Sequence, residues 1–283
     1  MCGRFVSSSP PDELARYFGA APPADAPLSP NFNVAPTVDV YAVMETAPRA
    51  EPAGEDTPQA REAAAGGGGP VRRVEAFHWG LVPGWAKDLS VGNRMINARS
   101  ETIATKNAFR RPFARRRCII PADGFYEWTK VPGHRKKQPY FIHRTDDEPL
   151  AFAGLWEVWR GPKDGGEGAG RTDDGNDGEE RPFIRSCTII TTSANETMAA
   201  IHDRMPVILP PSAWDAWLDP ANDDVEALGR LLVPAPPELI TMHPVSIEVS
   251  NVRNKGPHLT EPVTVIDPDG RHEVAPARIQ GRL

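Results

Sequence analysis

The stretch Arg116-Arg-Cys-Ile-Ile-Pro-Ala-Asp-Gly-Phe-Tyr-Glu-Trp128 gives the clearest indication of the fold. It contains two short β-prone runs, Cys118–Pro121 and Phe125–Thr129, separated by Ala122-Asp-Gly124. Asp-Gly between apolar runs is typical of a tight turn, because glycine adopts backbone angles that other residues disfavour. The sequence therefore predicts a β-hairpin here.

Further strands are predicted on both sides of this hairpin, and the helical patterns between them are short. One helix is expected to begin at Met95–Arg99 and to run to about Asn107, and a second to follow from Arg110. Because strands outnumber helices, we predict an α+β fold with a curved, largely antiparallel sheet or open barrel flanked by short helices. The other predicted strands are Val38–Met44, Val74–Val82, Pro139–Arg144, Leu150–Trp159, Ser186–Thr192, Met205–Leu209 and Ile240–Val245.

Two low-complexity segments interrupt this pattern, at 46–70 and 160–181. Both are rich in Gly, Ala, Pro or acidic residues and cannot bury enough apolar surface to offset their ordering entropy. We expect them to be disordered insertions in a single domain, 2–250. Residues 251–283 are polar and proline-containing, and are expected to form a loosely attached tail.

The composition is that of a soluble protein, with 25% charged and 40% hydrophobic residues and no apolar run long enough for a membrane span. Cys2, Cys118 and Cys187 are an odd number without paired spacing, so a disulfide framework and a zinc site are both disfavoured. We expect a cytoplasmic monomer without a metal or cofactor.

The net charge of -6 is unevenly distributed. The segments Glu45–Pro70 and Arg160–Arg181 each contribute -3, which leaves the rest of the chain neutral. Within that remainder, Arg94–Arg117 carries eight basic residues against the single acid Glu101. This stretch is either a phosphate-binding face or an ordinary solvated surface.

The N-terminus offers unusual chemistry, because Cys2 becomes the first residue once Met1 is removed. The mature end would then carry an amine and a thiol on adjacent carbons, which together capture an aldehyde as a thiazolidine. An α-amino group has an ordinary pKa of ~7.7–8.0, so part of it is neutral and nucleophilic at pH 7. A nearby cation would enlarge the thiolate population of Cys2. The alternative is that cysteine at this position is incidental.

Three polar residues among apolar neighbours are further candidates. Asn97 follows an apolar pair and is either a site residue or a helix N-cap. Glu127 stands among three aromatic residues, where desolvation would suit an acid/base, unless strand alternation points it to solvent. His202 follows a short helix and is either a proton-transfer group or a capping residue.

Three arginines lie within two residues of these candidates or of Cys2, namely Arg4, Arg99 and Arg204. Arginine near catalytic candidates suits phosphate binding, although surface salt bridges are the commoner use.

Taken in order, seven motifs make the chain resemble the SOS-response-associated peptidase (SRAP) family, whose members form covalent crosslinks with abasic sites in single-stranded DNA. The resemblance runs from Cys2 to about Val245. The motifs are MCGRF (Met1–Phe5), NVAPT (Asn33–Thr37), HWGLVPGWAKD (His78–Asp88), NARSET (Asn97–Thr102), RRCIIPADGFYEW (Arg116–Trp128), TTSAN (Thr191–Asn195) and HDRMPVIL (His202–Leu209).

The resemblance implies one SRAP domain with a basic DNA channel, in which Cys2 forms a thiazolidine with the ring-opened sugar of an abasic site. It implies that Asn97 orients the terminal amine and the substrate, that Glu127 is the acid/base, and that His202 transfers protons to the sugar oxygen. It also implies phosphate contacts from Arg4, Arg99 and Arg204, and base packing by Trp79, Pro36 and Trp128. The protein would be nucleoid-associated when bound to DNA.

Three alternatives remain open. The family name records a peptidase, with Cys2 as the nucleophile. Class II glutamine amidotransferases also begin Met-Cys-Gly, but their glutamine-binding segments are not found in this sequence. A DNA-binding module without chemistry would tolerate replacement of Cys2 by serine. Where crosslinking does occur, β-elimination at the imine competes with thiol attack and gives a lyase outcome.

Overall fold

The computed structural model describes residues 2–46, 71–131, 133, 135–161 and 183–265. Its strands are β1 Phe5–Ser7, β2 Asn31–Val34, β3 Asp39–Thr46, β4 Val71–Trp79, β5 Asn97–Arg99, β6 Arg117–Ala122, β7 Gly124–Thr129, β8 Gln138–Arg144, β9 Leu150–Trp159, β10 Ile184–Ser193, β11 Arg204–Pro206 and β12 Ile240–Pro244. Its α-helices are α1 Pro11–Phe18, α2 Arg110–Arg115, α3 Glu196–Ala199, α4 Trp214–Leu218 and α5 Val225–Arg230. In this part of the chain no helix is long and apolar enough to cross a membrane.

The first sheet, called the five-strand sheet below, is antiparallel throughout and has the order β12-β8-β7-β1-β2. Its third and fourth strands are held in register by the pair Phe5 and Phe125. Strand β1 pairs with β7 on one side and β2 on the other. The short segment that leads from Cys2 into β1 is therefore held in place where it joins the strand.

The second sheet closes on itself. Its order is β11-β10-β4-β3-β6-β9, and β9 also pairs with β10 over six residue pairs. Strand β5 lies beside β10 in parallel. The predicted α+β fold, with a curved, strand-rich core and short helices, is confirmed, and this closed sheet is its barrel.

Aromatic side chains join the two sheets. The ring of Phe5 on β1 lies 5.0 Å from that of Trp79 on β4 and 6.3 Å from that of Phe152 on β9. Aromatic pairs of this kind contribute ~0.5–1.5 kcal/mol each beyond the area they bury. They belong to a buried group of side chains from both sheets, called the central cluster below, which includes Cys2, Phe5, Trp79, Phe125, Tyr140, Phe152, Ile189, Met198 and Ile201.

The predicted hairpin within Arg116–Trp128 is wrong. Strand β6 belongs to the closed sheet and β7 to the five-strand sheet, so the chain changes sheets at Asp123. The Asp123 carboxylate accepts hydrogen bonds from the backbone N–H groups of Ser8 at 2.6 Å and Ser9 at 3.1 Å. A Cβ at Gly124 would lie 2.4 Å from the Phe141 ring. This glycine therefore permits close strand packing rather than a hairpin turn.

The helix predicted from Met95–Arg99 to Asn107 is also wrong, because no α-helix forms between Met95 and Arg110, a range that the structure describes throughout. Residues Asn97–Arg99 form β5, followed by a single 3-10 turn at Ser100–Thr102. The reason is tertiary, since β10 offers a free edge to which these residues pair. The helix expected from Arg110 is confirmed as α2.

The predicted insertions fall largely outside the described residues, which resume at Val71 and Phe183. The residues that flank them are cross-strand partners, Thr46 with Val71 and Trp159 with Ile184. Each insertion therefore leaves and re-enters the closed sheet at neighbouring positions.

The expectation of a loose tail from residue 251 is wrong for 251–265. The buried Asn33 side chain donates to the carbonyls of Asn251 and Asn254, at 3.1 and 2.9 Å, and Leu259 is buried. Residues 266–283 lie outside the described part. The segment is held against the domain because the Asn33 side chain hydrogen-bonds to its backbone carbonyls, which are not paired in a strand.

Candidate active site at the N-terminus

Cys2 is buried in the central cluster, three residues before the first strand. The backbone N–H of Tyr126 donates to the carbonyl of Arg4 at 2.9 Å, which extends the pairing of β1 with β7 toward the terminus. The site is therefore built where an end of the chain enters the core between the two sheets.

Asn97 contacts Cys2 directly. Its side-chain Nδ2 donates a hydrogen bond to the Cys2 carbonyl at 2.9 Å. Pairing with Ile189 fixes the Asn97 backbone, and the Trp79 indole donates to the preceding carbonyl, that of Ile96, at 3.0 Å. Within the described residues, the buried Asn97 Oδ1 has no hydrogen-bond partner. The N-cap alternative is excluded because Asn97 lies in a strand.

Glu127 lies on β7 with its side chain turned inward, and only 6% of the residue is exposed. The alternative that alternation points it to solvent is therefore wrong. The pKa of the Cys2 thiol is raised far above its usual range, mainly by burial and next by the charge of Glu127. Glu127 is therefore close enough to Cys2 to interact with it electrostatically. Cys2, Asn97 and Glu127 are thus brought together from three distant parts of the sequence.

The positive charge of the N-terminus lowers the pKa of the Cys2 thiol, as a nearby cation should, but burial and the charge of Glu127 raise that pKa by more. The strongest influences on Cys2 are desolvation and an anion, and both favour the protonated thiol. A buried, protonated thiol is a poor first nucleophile.

His202 enters the region from the connection between α3 and β11. Its Nδ1 accepts a hydrogen bond from the backbone N–H of Arg204 at 2.9 Å, and lies 2.9 Å from an Asp203 carboxylate oxygen. Met198 and Ile201, just before it, pack in the same central cluster as Cys2. His202 is part-exposed, at the edge of that cluster.

The three predicted phosphate-binding arginines differ in their surroundings. Arg4 is part-buried and donates to Asn33 Oδ1 at 2.7 Å and the Val249 carbonyl at 2.8 Å. Its guanidinium carbon lies 5.6 Å from the ring centroid of Trp128. Arg99 is exposed.

Arg204 is held in place by Glu101. It donates to both carboxylate oxygens of Glu101, and to the Thr191 carbonyl at 2.7 Å. Hydrogen bonding from Arg204 is the main reason that the pKa of Glu101 is lowered, and the charge of Arg99 adds to it. An anionic ligand would have to compete with Glu101 for these two cations.

The three residues predicted to pack against bases differ in how exposed they are. Trp128 is part-exposed and donates from its indole to Ser250 Oγ at 3.1 Å. Pro36 is part-exposed beside Thr37, whose backbone N–H donates to the Trp79 carbonyl at 2.9 Å. Trp79 itself is fully buried, which does not fit base packing, and its indole hydrogen bond holds the backbone carbonyl that precedes Asn97.

A different tryptophan is accessible. Trp85, in the loop between β4 and β5, is 55% exposed, the largest exposed fraction among the described tryptophans. Trp85 was not predicted from the sequence to be a site residue, although the Pro-Gly dipeptide before it marks a loop and loops lie at the surface.

The basic stretch Arg94–Arg117 is only partly a surface. Arg117 is buried and donates five hydrogen bonds to main-chain carbonyls, for example to Trp217 O at 2.6 Å and Phe113 O at 2.9 Å. Arg116 forms an ion pair with Glu157. The exposed cations of this stretch are Arg94, Arg99, Lys106, Arg110, Arg111 and Arg115.

Among the described residues, no group of three or more His, Cys, Asp or Glu side chains is arranged to hold a metal ion.

The chain belongs to the SOS response associated peptidase (SRAP) family, whose model matches residues 1–252. It is 36% identical over 262 residues to the abasic site processing protein YoqW of Bacillus subtilis, covering 92% of this chain and 99% of that one. It is 34% identical over 212 residues to the abasic site processing protein HMCES of Pongo abelii, covering 69% of this chain and 58% of that one.

The fold is shared with solved structures. A protein from Bacteroides thetaiotaomicron superposes with a TM-score of 0.68 at 22% identity, covering 93% of this chain and all of the other. A protein from Bordetella bronchiseptica superposes with a TM-score of 0.63 at 24% identity, covering 87% of this chain and all of the other.

Proposed function

We propose that this protein processes abasic sites in single-stranded DNA, and that Cys2, once Met1 is removed, captures the lesion as a thiazolidine crosslink. The relatives YoqW and HMCES are both named abasic site processing proteins. The observation that carries the proposal is the joining of Cys2 to Asn97 by a hydrogen bond, with the Glu127 carboxylate near the thiol.

The reaction begins at nitrogen. An abasic sugar exposes an aldehyde only in its ring-open form. The Glu127 carboxylate helps to populate that form by taking the proton of the sugar 1-hydroxyl and delivering it to the ring oxygen. The terminal amine of Cys2 adds to the aldehyde carbon, and loss of water gives an imine. The Asn97 amide holds the Cys2 carbonyl, and through it the amine, in a fixed position, which converts an encounter into an effectively intramolecular step.

The thiol completes the crosslink. The Cys2 sulfur bonds to the imine carbon, and the thiol proton passes by way of the Glu127 carboxylate to the imine nitrogen, so the thiazolidine forms without another reactant. A thiol with a raised pKa suits this order, because it stays protonated until the electrophilic imine is next to it.

A competing outcome is strand cleavage. Imine formation acidifies the neighbouring carbon, and loss of that proton expels the 3′ phosphate by β-elimination. Thiol addition removes the imine and so suppresses cleavage. We infer that shielding of the lesion dominates and that lyase activity is the minor reaction.

A peptidase or amidotransferase function is not favoured. Both use a cysteine as the first nucleophile, and such cysteines have a lowered pKa next to a cation. Burial and the charge of Glu127 instead raise the pKa of the Cys2 thiol.

The DNA surface is proposed to combine cations with an aromatic side chain. Exposed Arg99, next to Asn97 in the same motif, would contact phosphates, and Trp85 would stack on a base. This combination binds single strands without sequence readout. We assign Trp85, instead of the buried Trp79, to base stacking.

The test uses mature protein and a single-stranded oligonucleotide with one abasic site. We expect a heat-stable adduct on denaturing gels, with the mass of protein plus DNA minus one water. Cys2→Ala should lose this adduct and shift the products toward cleaved DNA, because it keeps the amine but not the thiol.

A matched control carries an N-terminal tag, which leaves the Cys2 thiol but converts its amine to an amide. It should give neither adduct nor cleavage. A heat-stable adduct from the tagged protein or from Cys2→Ala would refute the proposal.

A further inference from the structure

Tyr140 is a buried tyrosine beside the proposed site. It is 1% exposed, and within the described residues its hydroxyl has no hydrogen-bond partner. It lies on β8 directly opposite Glu127 of β7. Side chains directly opposite each other on antiparallel strands project from the same face, with Cβ atoms ~4.5–5.5 Å apart. Tyr140 also packs in the central cluster that contains Cys2.

A buried hydroxyl without a partner is unusual and unfavourable in a folded protein. The same sheet shows the ordinary arrangement, since the neighbouring Tyr126 donates from its hydroxyl to the Phe32 carbonyl at 2.8 Å. Burial raises the pKa of Tyr140, so its hydroxyl remains a neutral donor. The fold thus keeps a donor available next to the carboxylate that the proposed reaction uses.

We propose that Tyr140 is a positioning residue for Glu127, whose hydroxyl donates a hydrogen bond to the carboxylate during crosslink formation. This inference rests on the proposed function. In that reaction Glu127 gives a proton to the sugar oxygen and later receives one from the Cys2 thiol, so it is anionic between the two steps. A carboxylate accepts several hydrogen bonds, so the Tyr140 hydroxyl adds to the other contacts of Glu127.

Tyr140 could not be singled out from the sequence. It stands in the apolar strand Gln138-Pro-Tyr-Phe-Ile-His-Arg144, where a tyrosine is an ordinary core residue. Only the register of β8 against β7 places it opposite Glu127.

The test compares Tyr140→Phe with Tyr126→Phe. Single-turnover crosslinking to abasic single-stranded DNA is followed over a range of DNA concentrations, to separate the maximal rate from the half-saturating concentration. We expect Tyr140→Phe to lower the maximal rate about tenfold, as befits a lost hydrogen bond to a charged group. The half-saturating concentration should stay unchanged, and the melting temperature should stay the same or rise, because an unpaired hydroxyl is removed.

Tyr126→Phe is the matched control, since it removes a buried hydroxyl that is already hydrogen-bonded. It should lower the melting temperature and leave the maximal rate unchanged. Should Tyr140→Phe fail to fold, 3-fluorotyrosine at position 140 replaces it. Its more acidic hydroxyl is a stronger donor, and the maximal rate should rise.

The outcomes separate the two proposals. If wild-type protein gives no adduct, the proposed function fails and this inference fails with it. If wild type forms the adduct and Tyr140→Phe has the same maximal rate, only the role of Tyr140 is overturned. The role of Tyr140 is also overturned if 3-fluorotyrosine at position 140 leaves the maximal rate unchanged. The same holds if Tyr140→Phe changes only the half-saturating DNA concentration.

Discussion

Replacement of Asn97 by alanine separates the role of this residue in the reaction from its role in the fold. The substitution removes the hydrogen bond from Asn97 Nδ2 to the Cys2 carbonyl, 2.9 Å long, and leaves that carbonyl without its amide partner. Such a loss costs ~1–3 kcal/mol. The substitution also removes the buried Oδ1, which has no partner among the described residues, and this returns a comparable amount.

The net change in the free energy of unfolding is therefore expected to be small, within about 1 kcal/mol. The reaction should be affected far more, because the terminal residue loses the group that fixes its carbonyl. Loss of a well-oriented approach is expected to slow crosslinking by about 100-fold. The assay is single-turnover crosslinking to abasic single-stranded DNA, together with urea unfolding of the same preparation.

Asn222→Ala is a suitable control. The Asn222 amide also donates to a backbone carbonyl, that of Ala216 at 2.8 Å, but at an exposed position after α4. It should leave crosslinking unchanged. The proposed role of Asn97 is refuted if Asn97→Ala crosslinks at the wild-type rate, or if its slower reaction is accompanied by a loss of stability large enough to unfold the protein.

Two further predictions concern buried groups and the DNA surface. Burial is the main reason that the pKa values of Cys2, Cys118 and Cys187 are raised above their unfolded value of 9.0. The folded state keeps these protons while the unfolded state loses them, so stability is fully present below pH 9 and falls as pH rises further. By pH 10 the three thiols together should lower the free energy of unfolding, measured with urea, by about 4 kcal/mol. Cys118→Ala should remove about a third of that loss. A free energy of unfolding that stays constant from pH 8 to 10 would contradict this. Trp85→Ala should weaken single-stranded DNA binding by ~1–3 kcal/mol in a fluorescence titration without changing the melting temperature, whereas Trp79→Ala should unfold the protein more easily by ~3–5 kcal/mol. Equal DNA affinities for wild type and Trp85→Ala would remove this tryptophan from the DNA surface.

The sequence alone determined the strand-rich fold class and the reactive terminus. Short β-prone runs with few long helical patterns are local properties, and they were sufficient to predict a curved, mostly antiparallel core. The order Met1-Cys2 is likewise a covalent fact, from which the chemistry of an amine beside a thiol follows directly. Glu127 was recognisable as a candidate because three aromatic residues surround it in the chain.

Only the tertiary structure decided which neighbours those residues have. The turn residues around Asp123 are compatible with a hairpin or with a change from one sheet to the other. Hydrogen bonds from Ser8 and Ser9, more than a hundred residues away, favour the change of sheet. Asn97 became a strand residue because β10 offered an edge, and the pKa of the Cys2 thiol is raised because the core buries it beside Glu127. Burial, register and electrostatic environment arise from contacts between distant segments, so a sequence pattern can nominate residues for a site but cannot assemble it.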